Sequence, residues 1–406
     1  MTESPGAPRL VWRRPMGPRD PAEEHRTSTP LELLFDLCFV VAIASAAAEL
    51  HHALAEDHVP AGLVSFLVVF FAIWWAWMNF TWFASAYDTD DALYRVLTVL
   101  QMAGVLVLAV GVPAAFERFE LGTVVLGYVI MRVAMVAQWL RAAREDPEGR
   151  RTARSYAASI VGVQILWIAL LAVPAPWRYV GFVVLLGAEL AVPAFAESRG
   201  RPTTWHPEHV AERYGLLTLI VLGEVVLGVT GAVGSAIATG FSVSLVLLAA
   251  GGLLLVVGMW WTYFLGGDDS ALTTMRIALT WGYGHYLVFA TTAAVGAGLE
   301  VAVEAQEHVA HVGPVTAGFA VAVPVAVMLL TITQLRRLTW APGTGDHVVV
   351  ATAIVALLVC AGLAGALGVG VAVLLMGLVL VGALATYLTG ARRRRSLTSS
   401  SGSSAA

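Results

Sequence analysis

The chain contains no lysine, so all 24 of its basic residues are arginine. Charged residues are scarce as well, 13% of 406, and the formal net charge is only −4. That balance excludes the basic face a nucleic-acid partner requires. The two cysteines, Cys38 and Cys360, lie inside apolar runs and read as small buried residues, not as a disulfide framework. Polar stretches are short: the first thirty residues, 141–154, 197–209 and the end after Arg392. None is long enough to build a soluble domain. Also missing are a Walker A sequence, a GxGxxG after a strand, a GxSxG elbow, a CxxC pair and an HExxH helix. The sequence therefore carries no motif for nucleotide-driven or hydrolytic chemistry, and neither a cofactor nor a metal is expected.

Apolar residues dominate instead, at 58%, with a mean hydropathy of +0.77. Windows of about twenty apolar residues fall at 31–54, 60–84, 92–115, 119–141, 153–173 and 177–196. A second set falls at 210–231, 238–265, 272–299, 313–338, 346–366 and 368–390. The expected fold is an all-α integral membrane protein of about 12 transmembrane helices. The first run continues past Ala44-Ser45-Ala46, so it reads as a full span and not as a cleaved signal peptide.

The second half repeats the first. At an ungapped offset of 181, Met78-Asn79-Phe80-Thr81-Trp82-Phe83 falls on Met259-Trp260-Trp261-Thr262-Tyr263-Phe264, Asp88 on Asp269 and Arg95 on Arg276. Ala137-Gln138-Trp139-Leu140-Arg141 then resembles Thr333-Gln334-Leu335-Arg336-Arg337 at an offset of 196. Six spans per half predict two parallel six-helix repeats, 31–196 and 210–390, joined by a linker at 197–209. Residues 1–30 and 391–406 are expected to be disordered tails, with Arg392 to Arg395 resting on anionic headgroups.

Arginine placement orients the bundle. Alternate loops collect nearly all the arginines, while Arg118 and Arg178 are alone on the opposite side. The positive-inside rule then puts both termini in the cytoplasm. The tryptophans Trp74, Trp75, Trp77 and Trp82, with Trp260 and Trp261, are expected to form interfacial belts.

Polar groups inside spans carry the functional reading, because a charge at the bilayer centre costs a few kcal/mol or more unless paired. Thr29-Pro30-Leu31-Glu32 opens the first helix as a capping box, so Thr29 and Glu32 read as a structural cap. Asp36 lies one turn deeper on the same face. Glu224, about 20 Å along the seventh span, is the leading candidate, followed by Arg132, Glu189 and His285. Arg132 has three prospective partners, Asp36, Glu189 and Glu224. His206, His209 and Glu212, and His308 with His311 near Glu304 and Glu307, recur at three-residue spacing, yet helix capping and loop solvation account for them without a metal.

At Glu32-Leu33-Leu34-Phe35-Asp36-Leu37-Cys38-Phe39-Val40, and again at Glu212-Arg213-Tyr214-Gly215-Leu216 leading to Val221-Leu222-Gly223-Glu224, the chain resembles the bacterial low temperature requirement protein A family. The likeness extends from Arg26 to about Leu388. It implies a multi-span bacterial membrane protein and supplies no reaction. The reading that follows is a non-enzymatic secondary transporter or permease, coupled to protons through Glu224 and Asp36. Its alternative is a membrane sensor or assembly factor supporting growth in the cold. The implied partners are membrane lipids and an unknown small-molecule or ion substrate, with oligomerisation left open.

Overall fold

The computed structural model describes residues 12–20, 23, 26–240, 242–266, 272, 274–339 and 344–402. Every regular element among them is a helix. Hydrocarbon offers no partner for a backbone N–H or C=O, so a chain this apolar satisfies each peptide group within its own segment. The first six helices are α1 (Pro30–Ala55), α2 (Val59–Tyr87), α3 (Ala92–Arg118), α4 (Gly122–Glu145), α5 (Arg150–Leu170) and α6 (Trp177–Glu197). There follow α7 (Pro207–Thr239), α8 (Val243–Phe264), α9 (Met275–Gln306), α10 (Pro314–Thr339), α11 (Thr344–Gly362), α12 (Ala364–Leu367) and α13 (Val369–Gly402). Eleven of them are long and apolar enough to cross a membrane, and a shorter apolar helix occupies 346–362. The protein is a multi-pass membrane protein.

Helix starts are set by local chemistry. The Asp91 carboxylate accepts from Tyr94 N at 2.8 Å to open α3, Ser242 Oγ accepts from Leu245 N to open α8, and Thr274 Oγ1 accepts from Ile277 N to open α9. Thr29 and Glu32 form the reciprocal cap of α1: Thr29 N donates to Glu32 Oε2 at 2.8 Å, and Glu32 N donates to Thr29 Oγ1 at 3.3 Å.

Two compact units emerge, and their boundaries differ from those of the sequence halves. The first comprises residues 1–45 and 69–213, the second 46–68 and 214–406. The end of α1 and the start of α2 thus belong with the second unit, and the first turns of α7 with the first.

Within the first unit α3 packs on α4, α4 on α5 and α5 on α6. Gly104 and Gly127 permit the closest of these contacts, since a Cβ on either would sit 2.7 Å from the carbonyl oxygen of the other. Aromatic side chains fill the interior: Trp139 stacks on Tyr156 at 4.2 Å and meets Phe83 edge-on, and Phe35 packs on Phe80 at 4.0 Å. In the second unit α9 packs on α10, α10 on α11, and α13 on both α8 and α11. The break between α12 and α13 falls at Gly368, whose φ of +87° lies in the left-handed region that favours glycine.

Two expectations from sequence need correction. The described part of the amino-terminal segment, read as disordered, is docked on the first unit. Met16 is fully buried, Arg14 N donates to Asp91 Oδ2 at 2.6 Å, Met16 N donates to Glu145 Oε2 at 2.6 Å, and Arg19 N donates to the Ala86 carbonyl. Arg26 caps the end of α2 by donating to the carbonyls of Ala84 and Ser85. Charged carboxylates and free terminal carbonyls at one end of this unit give a polar strap enough partners to fix it. At the other terminus α13 continues as helix to Gly402, through residues expected to be a tail. Helical backbone bonding extends past the last apolar turn there. The arginine side chains at 392–395 lie outside the described ones, and Asp269 of the repeat alignment is outside the described residues.

Candidate functional site

The first unit buries an ionic cluster built by two helix starts. On α1, Glu32 and Asp36 are four residues apart and share a face; on α7, His209 and Arg213 do the same. Arg213 joins both carboxylates, donating from Nη1 to Glu32 Oε1 at 3.0 Å, from Nε to Asp36 Oδ2 at 3.2 Å and from Nη2 to Asp36 Oδ1. His209 Nε2 lies 3.1 Å from Glu32 Oε1. Trp77 Nε1 donates to Asp36 Oδ1 at 2.7 Å. The Arg213, Glu32 and Asp36 side chains are 0% exposed, so each depends wholly on these partners for its charge.

Two further arginines of this unit are paired as completely. Arg132 selects Glu189, with Nη2 3.0 Å from Oε2, and Glu189 also accepts from the indoles of Trp75 at 2.7 Å and Trp167 at 3.2 Å. Asp36, another of its prospective partners, is bonded by Arg213 and Trp77 instead. Arg141 is bidentate on Asp91, at 3.0 Å through Nη1 and again through Nη2. A small cavity lined by Asn79, Gln101, Tyr128 and Arg132 opens beside the Arg132–Glu189 pair.

The aromatic-belt expectation is corrected for the first half by these contacts. Trp74, Trp75 and Trp77 are buried, and two of them serve as neutral donors to carboxylates. An indole N–H stabilises a carboxylate without adding charge, and its rings fill the surrounding apolar space. Trp260 and Trp261 stay about half exposed, at 43% and 45%, as belt residues should.

A second polar group lies in the second unit and is organised differently. His51 near the end of α1 faces two carboxylates of α9, with Nε2 3.0 Å from Glu304 Oε1 and Nδ1 3.5 Å from Glu300 Oε2. Glu224 of α7 is half-buried and within electrostatic range of Glu300. Gly228, one turn along α7 from Glu224, packs directly on the Glu300 carboxylate, where a Cβ would overlap Oε1. Glu300 lies one helical turn (roughly 5–6 Å) further from the end of α9 than Glu304, and Glu224 lies one turn along α7 from the glycine that packs on Glu300. No arginine of the described residues pairs with any of the three. Their exposure also contrasts with that of the first cluster: His51, Glu300 and Glu304 keep 21%, 26% and 33% of their side-chain surface. Nearby, His311 Nδ1 is 2.8 Å from Glu56 Oε2.

The remaining candidates are dispersed. His285 is enclosed by Tyr214, Trp281 and Phe289, with Nε2 3.1 Å from Tyr263 Oη and Nδ1 2.8 Å from the Trp281 carbonyl. The histidines considered for metal are engaged separately: His206 with the Glu23 carbonyl at 2.8 Å, His209 with Glu32, and Glu212 with Ser28 N at 3.0 Å. Arg213, His51 and Glu300 were not singled out from sequence as site residues, and Trp77 was read there only as a belt residue. The matched spacing of Glu32/Asp36 and His209/Arg213 at the starts of two helices was the available signal for the first cluster.

Outside the spans, Asp88 is buried where α2 ends. Burial first, then the nearby Glu32 charge, push its carboxyl up to about 6, against the hydrogen bond from Asp90 N at 2.9 Å and the attraction of Arg26.

The chain is 30% identical over 218 residues to a Rhizobium meliloti protein named "Uncharacterized protein RA0937", an alignment covering 52% of each chain. It thus spans about half the length of that relative. Residues 27–383 match the family described as Bacterial low temperature requirement A protein (LtrA), and the chain belongs to that family.

Proposed function

We propose that the protein is a proton-coupled secondary transporter of a small solute or ion, not an enzyme, with protons loaded at His51, Glu300 and Glu304 and passed to Glu224. The observation that carries this reading is the charge imbalance of the second-unit group. Three carboxylates and one histidine sit within membrane-crossing helices, partly exposed and, among the described residues, without an arginine partner. Such a group reaches neutrality only by taking up protons. In the first unit, by contrast, each buried carboxylate of these clusters is bonded directly to an arginine, Glu189 to Arg132, Asp91 to Arg141, and Glu32 and Asp36 together to Arg213, which favours a role in holding the fold for Asp36 and Glu189.

Two observations support an internal repeat in this architecture. The neighbour order α3, α4, α5, α6 is matched by α9, α10, α11, α13. Arg213 also pairs with Glu32 across 181 residues, the separation at which the two halves align.

The alternative, a non-transporting membrane sensor or assembly factor with both termini cytoplasmic, draws on the complete pairing of the first unit and on its docked amino-terminal strap. The two readings separate in proteoliposomes containing a trapped pH dye and screened with amino acids, monovalent cations and small organic acids. Solute-dependent proton flux that is abolished by Glu300→Gln and by Glu224→Gln, at unchanged yield of folded protein, is the expected result. Flux unaffected by both substitutions, or no flux with any solute class, would overturn the transport reading.

A further inference from the structure

The amino-terminal strap of the first unit is bonded through its backbone and turns its side chains outward. It is fixed where α3 begins and α4 ends: the Trp12 carbonyl accepts from Leu93 N at 3.2 Å, Arg14 N donates to Asp91 Oδ2 at 2.6 Å, and the Arg14 carbonyl accepts from Arg141 Nη2. Held in this way, Trp12 stays 70% exposed, with Arg14 exposed beside it. The level of the strap identifies what the indole faces. Beyond Arg95, which turns back to bond Asp90, the exposed side chains of α3 are apolar, Val96, Val99 and Leu100. Hydrocarbon therefore begins within about one turn of Leu93. An indole bonded at Leu93 lies among lipid headgroups, where its amphipathic ring is favoured.

The charge at this level has a surplus of one sign. Asp91 and Glu145 are taken up by Arg141 and Arg13, the latter pair joined also by Met16 N on Glu145. Arg14 on the strap and Arg144, next to Glu145 on the last turn of α4, are both exposed, and neither side chain meets a carboxylate among the described residues. Two free guanidiniums beside an indole complement the phosphodiesters of a negatively charged leaflet, which a guanidinium can engage through two parallel hydrogen bonds.

We propose that this face of the strap docks on the surface of an anionic bilayer, with Trp12 seated among the headgroups and Arg14 and Arg144 on lipid phosphates. The leaflet then holds the strap against Asp91 and Glu145, and its closure depends on lipid charge. Arg144 belongs to α4 and stays in place when the strap opens, whereas Trp12 and Arg14 must leave the surface. Lipid binding by those two residues therefore appears as slower exchange of the strap's own amides.

Hydrogen–deuterium exchange of the full chain tests this in nanodiscs of phosphatidylcholine alone and of an equal mixture of phosphatidylcholine and phosphatidylglycerol, read on the amides of 13–19. Exchange should be about five-fold slower in the mixture, the ratio that corresponds to the roughly 1 kcal/mol contributed by one arginine near an anionic surface. Arg14→Gln should erase that difference, and so should NaCl at about 1 M, which screens the surface. Trp12→Ser should speed exchange in both bilayers. Amides of α3 at 98–108 should keep their protection in both variants, which separates loss of docking from loss of fold. Equal exchange of the wild-type strap in the two bilayers would overturn the proposal. So would a folded Arg14→Gln protein that keeps the difference, or a Trp12→Ser strap protected as in the wild type. Inorganic phosphate that slows exchange in phosphatidylcholine as much as the mixture does would also overturn it, by making the patch a site for a free anion.

Discussion

Arg213→Gln is the perturbation that most directly tests the account of the first unit. Arg213 makes three hydrogen bonds to Glu32 and Asp36, and all three side chains are 0% exposed. The substitution removes the only full positive charge bonded to these carboxylates, leaving Asp36 with the Trp77 indole and Glu32 with Thr29 and His209. Breaking a buried pair by deleting one partner costs about 3–5 kcal/mol. Two carboxylates are stranded here, so the upper end of that range is expected. Set against a total stability of about 5–15 kcal/mol, the loss should appear as a much lower unfolding midpoint in detergent micelles. Adding Asp36→Asn to Arg213→Gln removes one stranded charge and should recover stability, with a coupling energy of about 1–3 kcal/mol in the double-mutant cycle. Arg118→Gln, whose partners Glu117 and Glu120 are exposed, is the control and should leave the midpoint unchanged. An Arg213→Gln loss below about 1 kcal/mol, or additive behaviour with Asp36→Asn, would refute the view that this cluster holds the helices together.

Asp88 predicts a pH dependence of opposite sign to that of an ion-paired acid. Its carboxyl is raised from 3.8 to about 6, so the folded state binds this proton more tightly than the unfolded chain. Its contribution to stability is therefore fully present below about pH 4 and lost as pH rises to about 6, by roughly 3 kcal/mol at 1.36 kcal/mol per unit. Asp88→Asn should flatten that part of the unfolding profile, and an unaltered profile would count against the burial argument. Gly228→Ala should push the Glu300 carboxylate, the far end of a flexible side chain, away from α7 and so offset part of the roughly 1 kcal/mol that alanine gains over glycine within a helix. Gly231→Ala meets nothing within 4 Å and should be neutral or slightly stabilising, so equal effects at the two positions would contradict the Gly228 contact.

Sequence alone determined the solvent of this protein and the grammar of its helices. A 58% hydrophobic chain with short polar stretches can satisfy its backbone in hydrocarbon only as helices, and the apolar windows place most of those helices to within a few residues, while α7, α9 and α13 run well past theirs to Thr239, Gln306 and Gly402. Thr29 with Glu32 was equally legible, because a capping box is a contact between residues three apart and needs no tertiary information. Partner choice was not legible. Arg132 had three candidate carboxylates in sequence, and only packing of α4 beside α2 and α6 put Glu189 at 3.0 Å. The same limitation hid Arg213, which meets Asp36 across 177 residues, and the tryptophans that bond carboxylates instead of lining the interface. Likewise, Glu224 was found by its depth in an apolar helix, but the alignment of Glu300, Glu304 and His51 with it depends on which residues α1, α7 and α9 present to one another. Hydropathy and spacing fix what a segment must avoid, water or hydrocarbon. The identity of the group opposite a buried charge is a property of interhelical register, which only the folded bundle supplies.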